Sequence, residues 1–530
     1  MNPRQTTLCL VCALATLVWL CNPPAASAQK IAVLTYHNDI FRTGWNRGET
    51  KLTPANVASS SFRALKSITL DDQVDAQPLV VPDQMITAGP HQGVHDVVYV
   101  ATEGNTVYAV DTNNGNVLLS PNFGTPVSYP LGCNNNGLNV GINSTPVIDR
   151  VGKTMYVVIY TNESNGPVYR IHALDLGSLT DKVPPVVVAG SHTLTNGTTF
   201  NFNATYQRQR PALLVANGNV YAGFGSFCDF AANLSRGWLL GWQLNSLTPL
   251  AANQVLDTLA SSPDDFFLSS IWMSGYGISA DQAGNLYFVT GNSDYSGNTY
   301  NGVTNIPESV IKVSGDLTKV LDMFTPSDES YLDETDNDFG SGGAMLLPPQ
   351  PGSIPNLVVA AGKEGNMFLM NRNDLGGFSV TNNNVLGTFS IGGCWCGQSF
   401  FVDPSDLTAR VVSSGGSTVS IWQVQTSPSV TLINTANSTT FNSGQDPGFF
   451  TSISSNQEAN PIVWALSRPF GSPYSIYLYA FDPEAGLKQL FSGPAGTWPN
   501  TTGNANLVPV VANGKVFVAS YKQLTAFGLK

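Results

Sequence analysis

The chain has 530 residues, with 24 Lys and Arg against 36 Asp and Glu, a formal net charge of −12 at pH 7. An acidic chain without basic clusters repels phosphate backbones, which excludes nucleic acid as a partner. Only 11% of residues are charged while 50 are Gly and 33 are Pro, a composition that suits short strands and many turns and disfavours long helices.

The first 28 residues read as a secretory signal. Arg4 is the positive n-region, Leu8 to Leu20 the apolar run, and Ala26-Ser27-Ala28 the cleavage site. The apolar run is too short to span a bilayer comfortably, and no other long apolar stretch follows. The expectation is a protein secreted or held in the periplasm, with no membrane span. Of seven cysteines, Cys133, Cys228, Cys394 and Cys396 remain after the signal. An even number in an exported chain permits two disulfides, in three possible connectivities. Cysteines one residue apart rarely bond each other without strain, so Cys394 and Cys396 are each expected to seek a distant partner.

From residue 29 onward one pattern recurs: apolar strand, Gly or Asn turn, second strand, acidic turn. The clearest copy is DVVYVATEGNTVYAVDTNNGNV, Asp96 to Val117. Val97–Thr102 and Thr106–Val110 are the strands, and Glu103-Gly104-Asn105 is the turn. Marking the second strand of each copy gives Val98, Met155, Val220, Leu286, Leu357, Arg410, Ile462 and Val516, spaced by 52 to 71 residues. Eight strand-turn-strand units at this period predict an all-β, eight-bladed propeller of four-stranded antiparallel blades, spanning 29–530 as one domain. Ring closure would remove exposed sheet edges. The last unit lacks an outer strand, and FRALKSITL (Phe62 to Leu70) is the segment expected to supply it.

The turns Ala109–Gly115 (Ala-Val-Asp-x-x-x-Gly) and Ala480–Gly486 (Ala-Phe-Asp-x-x-x-Gly) resemble the repeat of the quinoprotein alcohol dehydrogenases. More narrowly, the chain resembles exported bacterial proteins with pyrroloquinoline-quinone-type repeats. The residues behind this are YHNDIFRTGWN (Tyr36 to Asn46), GINSTPVID (from Gly141), QRPALLV (from Gln209), IWMSG (from Ile271), DFGSGGAMLLP (from Asp338) and AGKEGNMFLMNR (from Ala361).

The resemblance implies a quinone on the propeller axis, stacked between a tryptophan and a vicinal disulfide. It implies a calcium ion held by a Glu, an Asn and the cofactor, and an Asp as base. Carried over by position, Asp229 stands where the glutamate ligand is expected. Asn292, in Thr290-Gly291-Asn292, keeps the asparagine. Ser314 falls at the base, with Glu308 and Asp316 close in sequence. A single cysteine, Cys133, falls where the vicinal pair belongs. Leu118 and Leu490 replace the outer-strand tryptophans.

Other constellations are weaker. Asp333, Asp336, Asp338 and Gly340 loosely echo a calcium loop, but the acidic run Asp328 to Asp338 is read first as a solvated face. Trp238, Trp242, Trp272 and Trp422 are read as packing between blades before lining a ligand surface. Glu364, in GKEG, is read as a turn residue. His37 and Asp39 lie close together without an identifiable nucleophile.

Propeller ligands bind where inner strands and loops converge on the axis. The candidates there are Gln77, Asn143, Arg210, Trp272, Asp338, Ser341, Cys394, Cys396 and Asn460. Asp229, Asn292 and Asp338 are the candidate calcium ligands. The reading is an exported quinoprotein-like propeller acting as a non-catalytic scaffold, with a degraded quinone site and a protein, glycan or small-molecule ligand on its axis. The alternative is an alcohol or sugar dehydrogenase dependent on pyrroloquinoline quinone and calcium.

Overall fold

A computed structural model describes residues 30–530 apart from 136, 194–196, 230–233, 235–236, 252–253, 256–268, 293–299, 301, 303–305 and 443. The proposed signal segment lies outside the described residues.

Alternating apolar residues put one face of each sheet against the next, and no single sheet can bury both faces alone. Among the described residues eight sheets of four or five strands result, arranged as a β-propeller, with two further two-stranded hairpins. The first blade comprises Leu79–Ile86, Gly93–Ala101, Val107–Asp111 and Val117–Leu119, hydrogen-bonded in that order. Its central hairpin pairs Val97 with Asp111 and Ala101 with Val107. Asn105 takes φ 62° in the intervening turn, a conformation asparagine tolerates. All eight marker residues fall in the second strand of their blade, Ile462 in Ala459–Leu466 and Val516 in Lys515–Ser520 among them.

The last blade is built from both ends of the chain. Val510–Ala512, Lys515–Ser520 and Gln523–Leu529 are its inner strands, and Phe62–Thr69 is its outer one. Phe62 pairs with Leu529 and Thr69 with Gln523, antiparallel. The expected closure of the ring is therefore present.

A second feature of the N-terminal segment was not legible. Residues 33–46 run across the axis and touch the innermost part of every blade in turn. Val33 bridges Val80. Leu34 O accepts from Ile148 N, Ile40 O from Ala280 N, and Phe41 O from Leu346 N. Thr43 O accepts from Phe400 N and Gly44 O from Ile453 N. Asn46 Nδ2 donates to Val511 O. Arg42 supplies the contact to the third blade, its Nη2 donating to Leu213 O. The motif YHNDIFRTGWN is thus a plug that satisfies backbone groups of the inner strands.

Tyr276 stands over this plug. Its hydroxyl donates to Arg42 O at 2.8 Å. A Cβ at Gly343 or Gly397 would lie about 2 Å from the Tyr276 ring, so only glycine fits on either side of it. That packing accounts for glycines in the GSGG and CWCG turns. Trp238 and Trp242 are fully buried, and Trp422 is half-buried with Nε1 bonded to Ser413. These three tryptophans serve packing, as expected.

Candidate functional site

The segments just upstream of the inner strands converge on the axis above the plug. They enclose a cavity of about 210 Å³. Its walls include Arg208, Arg210, Asp229, Trp272, Lys363 and Trp395. Asp336, Asp338 and Cys228 also reach it.

One wall is cationic. Arg208 is buried, with Nη1 donating to Asn135 at 2.7 Å and Nε to Asn143 at 3.3 Å. Its Nη2 is buried and has no hydrogen-bond partner among the described residues. Arg210 lies beside it, with its guanidinium carbon 5.9 Å from the Trp272 ring centre. Burial, and then repulsion from Arg208, bring Arg210 down to about 9, so it stays charged at neutral pH. Behind the arginines, Asp75 and Glu103 share a hydrogen bond, and burial raises both carboxyls. Glu103 also accepts from Gly141 N at 2.7 Å and from Asn143 at 2.5 Å. Two carboxyls that share a proton carry one negative charge against two guanidiniums, so this wall is net positive.

The other wall is aromatic. Trp272 and Trp395 meet edge to face at 5.4 Å. Lys363 Nζ lies 4.5 Å from the Trp395 ring centre and 5.6 Å from that of Trp272, within cation–π range. The same ammonium is ion-paired with Asp338 and lies 3.0 Å from Asp336. Burial alone would raise Asp338, but Lys363 more than offsets it and holds the carboxyl below its usual range. Asp336 is exposed at the cavity rim, beside the same ammonium.

Trp395 is held from three sides. Its N–H donates to Pro447 O, and its carbonyl accepts from Arg468 Nη2 at 2.8 Å. Its neighbours Cys394 and Cys396 form a disulfide with each other, and Cys133 pairs with Cys228. The expectation of distant partners for Cys394 and Cys396 is corrected here. The turn brings their α-carbons to 4.9 Å, inside the range a disulfide spans.

Of the sequence candidates, Arg210, Trp272, Asp229 and Asp338 meet in this cavity. Asn143 stands one layer behind, orienting Arg208. Gln77 instead binds the plug, accepting from His37 N at 3.0 Å and donating to Thr35 O at 3.3 Å. Ser341 is buried, donating to Asp338 O and Cys394 O. Asn460 is exposed and begins the second strand of its blade, beyond the inner strand Thr451–Asn456 that would have carried it to the axis. Ser314 is half-buried in an outer turn, donating to Asp316 at 2.6 Å. His37 is buried in the plug, where desolvation lowers it to about 3 and keeps it neutral.

Lys363, Trp395 and Arg208 were missed, and Asp336 was read only as part of a loose calcium-loop echo. Lys363 sits in the same GKEG turn that was read for Glu364, and no local signal set it apart from that turn. Nor is the acidic run simply a solvated face. It forms a short helix, Glu329–Glu334, with Glu329, Leu332 and Asp333 buried. Burial, then Asp333, pushes Glu329 up from 4.5 to about 7. A carboxyl raised in the folded state contributes stability below its unfolded value, lost as pH rises through the folded one. Glu329→Gln therefore raises the unfolding midpoint at pH 8 relative to the parent, with the gain shrinking to nothing by pH 4. Thermal unfolding across that range checks it.

Solved structures supply the comparison. A quinohemoprotein alcohol dehydrogenase from Comamonas testosteroni superposes with a TM-score of 0.58 over 95% of this chain and 81% of its own, at 13% identity. The fold is that of the quinoprotein alcohol dehydrogenases. Quinohemoprotein alcohol dehydrogenase ADHIIG from Pseudomonas putida HK5 gives a TM-score of 0.60 over 94% of this chain and 80% of its own, at 13% identity. A europium-containing methanol dehydrogenase gives 0.58 over 94% and 98%, again at 13%. No family model matches the sequence, and no curated protein does either.

A quinoprotein-type propeller raises the question of its quinone and metal. Calcium does not fit these residues. The Lys363 ammonium already neutralises Asp338, and Ser226 donates to Asp229. Asn292 reaches Asp338 through its backbone N–H, at 2.8 Å, rather than offering its side chain to the cavity. Among the described residues no three His, Cys, Asp or Glu are grouped to share a metal. The cationic wall suits the carboxylates of pyrroloquinoline quinone. The volume does not suit the whole molecule, since pockets for ligands of that size run to roughly 300–1,000 Å³.

Proposed function

We propose that this chain is an exported, non-catalytic quinoprotein-type propeller whose axis cavity binds a small carboxylate, with no resident metal. The carrying observation is the buried Arg208 Nη2, without a hydrogen-bond partner among the described residues, beside the charged Arg210 and facing two tryptophans. A buried charged donor left unpaired is costly, and an anion would satisfy it. The fixed Trp272–Trp395 pair offers a planar contact for the apolar part of such a ligand. Asp338, held ionised by Lys363, is a poor proton acceptor at neutral pH, which favours binding over catalysis. Two disulfides support an oxidising compartment. Among the described residues no helix is long and apolar enough to cross a membrane.

Thermal unfolding with benzoate, glucuronate or pyrroloquinoline quinone, each with and without calcium, tests the proposal. A ligand of the native state raises the midpoint by mass action. The expected result is a rise with a small carboxylate that does not depend on calcium and is abolished by Arg210→Gln. A rise that needs quinone and calcium together would reject it in favour of a quinone-dependent dehydrogenase.

A further inference from the structure

A second concavity lies outside the axis cavity and is larger, about 590 Å³, within the usual size range of ligand sites. The loop from Tyr129 to Asn139 separates the two. Asn135 on this loop faces the axis, while Tyr129, Asn134 and Asn139 line the outer groove. The opposite wall comes from Pro499 to Thr502, with Tyr521 and Lys522 at its edge. Thr502 Oγ1 donates to Asn134 O at 2.7 Å, and Asn500 Nδ2 is buried with no hydrogen-bond partner among the described residues. Tyr129 has φ 42° and Leu131 φ 53°, so two bulky residues in one loop are held in the left-handed region. Such backbone is retained where the surrounding structure over-determines it, commonly at ligand sites. The Cys133–Cys228 disulfide anchors the loop in that shape.

The chemistry of this lining is particular. It combines planar amides and carboxylates with two tyrosine faces, and Tyr129 is 47% exposed. Amides donate and accept in one plane, which matches adjacent hydroxyls. Tyrosine presents an apolar face with a polar tip, which matches the C–H face of a sugar ring bordered by hydroxyls. Asp71 and Asp72 against Lys522 leave little positive charge, so the groove suits a neutral ligand, unlike the axis cavity. A peptide would need apolar pockets or an unpaired strand edge. Among the described lining residues only Leu138 and Pro499 are aliphatic, and the walls are loop apart from Asn139, whose two-residue strand is paired through Ser128.

We infer that the groove between the Tyr129–Asn139 loop and the Pro499–Thr502 turn binds a neutral oligosaccharide, independently of the axis cavity. The test is saturation-transfer NMR on the mature protein with cellohexaose, maltohexaose, xylohexaose and chitohexaose. At least one shows transfer to its ring protons. Tyr129→Ala with Tyr521→Ala weakens that binding by about tenfold or more, the scale of a lost aromatic contact at each site. Leu138→Arg, at an exposed lining position, projects bulk into the groove and weakens it too, while Arg210→Gln leaves it unchanged. No transfer from any of the four sugars, transfer that survives all three groove substitutions, or transfer lost in Arg210→Gln alone would overturn the inference.

Discussion

Arg42→Met lowers the stability of the whole propeller by about 3–5 kcal/mol, read from the urea midpoint. The Arg42 side chain is fully buried, holds the plug to the third and fourth blades and braces the plug's own backbone. Nε donates to Ile278 O at 2.9 Å and Nη2 to Leu213 O at 3.1 Å. Nη1 donates to Thr35 Oγ1 at 2.6 Å and Tyr36 O at 2.9 Å. Removing the fork strands three carbonyls away from water, each costing about 1–3 kcal/mol, partly offset because a buried charge goes with it. Arg42→Lys recovers little, since an ammonium cannot span the same acceptors. Gly277 reports how closely the guanidinium is fitted, because a Cβ there would lie 2.6 Å from Arg42 Nε. Amide exchange at Ile148, Ala280, Leu346, Phe400 and Ile453 should rise together, because each donates to the plug. Arg47→Met is the control. Arg47 is half exposed, paired with Glu458, and of little consequence to stability. A loss below about 1 kcal/mol for Arg42→Met would refute the plug as a cooperative element.

The blades were legible because a propeller repeats one local signal. Strand alternation and Gly or Asn turns fix each hairpin within a short window, and eight copies correct one another. The closing strand Phe62–Thr69 was legible by elimination, since one blade lacked its outer edge. The plug was not. Its contacts go to eight blades spread from Val80 to Val511, six through backbone bonds and two through the Arg42 and Asn46 side chains, and no local periodicity encodes contacts at that separation. Arg42, Gly44 and Trp45 read only as parts of a motif.

The site was half legible for a related reason. Arg210, Trp272 and Asp338 each lie just before an inner strand, so blade assignment placed them, whereas Asp229, after the second strand Asn219–Ser226, was placed by the family resemblance. Asn460 failed because it follows its inner strand, on the far side of a hairpin whose bend lies at Gln457, where φ is 53°. Lys363 was hidden by its own turn. A lysine between glycines reads as a solvated turn residue, and only the fold shows that the turn points at Asp338 and two tryptophan faces. The cysteines of Cys394-Trp395-Cys396 were judged on strain, whereas the turn that presents Trp395 already brings them together.

Those two disulfides differ in what they do for stability, and the difference is large enough to measure. Cys133–Cys228 joins residues 95 apart, while Cys394–Cys396 joins residues two apart. Closing a loop of that greater length removes about 4–5 kcal/mol of chain entropy from the unfolded state, against about 1.6 kcal/mol for the short one. Cys133→Ala with Cys228→Ala should therefore lower the unfolding midpoint strongly. The long cross-link also pins the Tyr129–Asn139 loop between the axis cavity and the outer groove, so the same variant should weaken ligand binding at both sites. Removing the short cross-link should cost less through the unfolded chain and act mainly on Trp395. Intrinsic fluorescence then shifts as that tryptophan loses its fixed contact with Trp272, while the outer groove is untouched. Equal midpoint losses for the two double variants would mean that native packing, not chain entropy, dominates both, and the long disulfide would lose its role as the anchor of the shared loop.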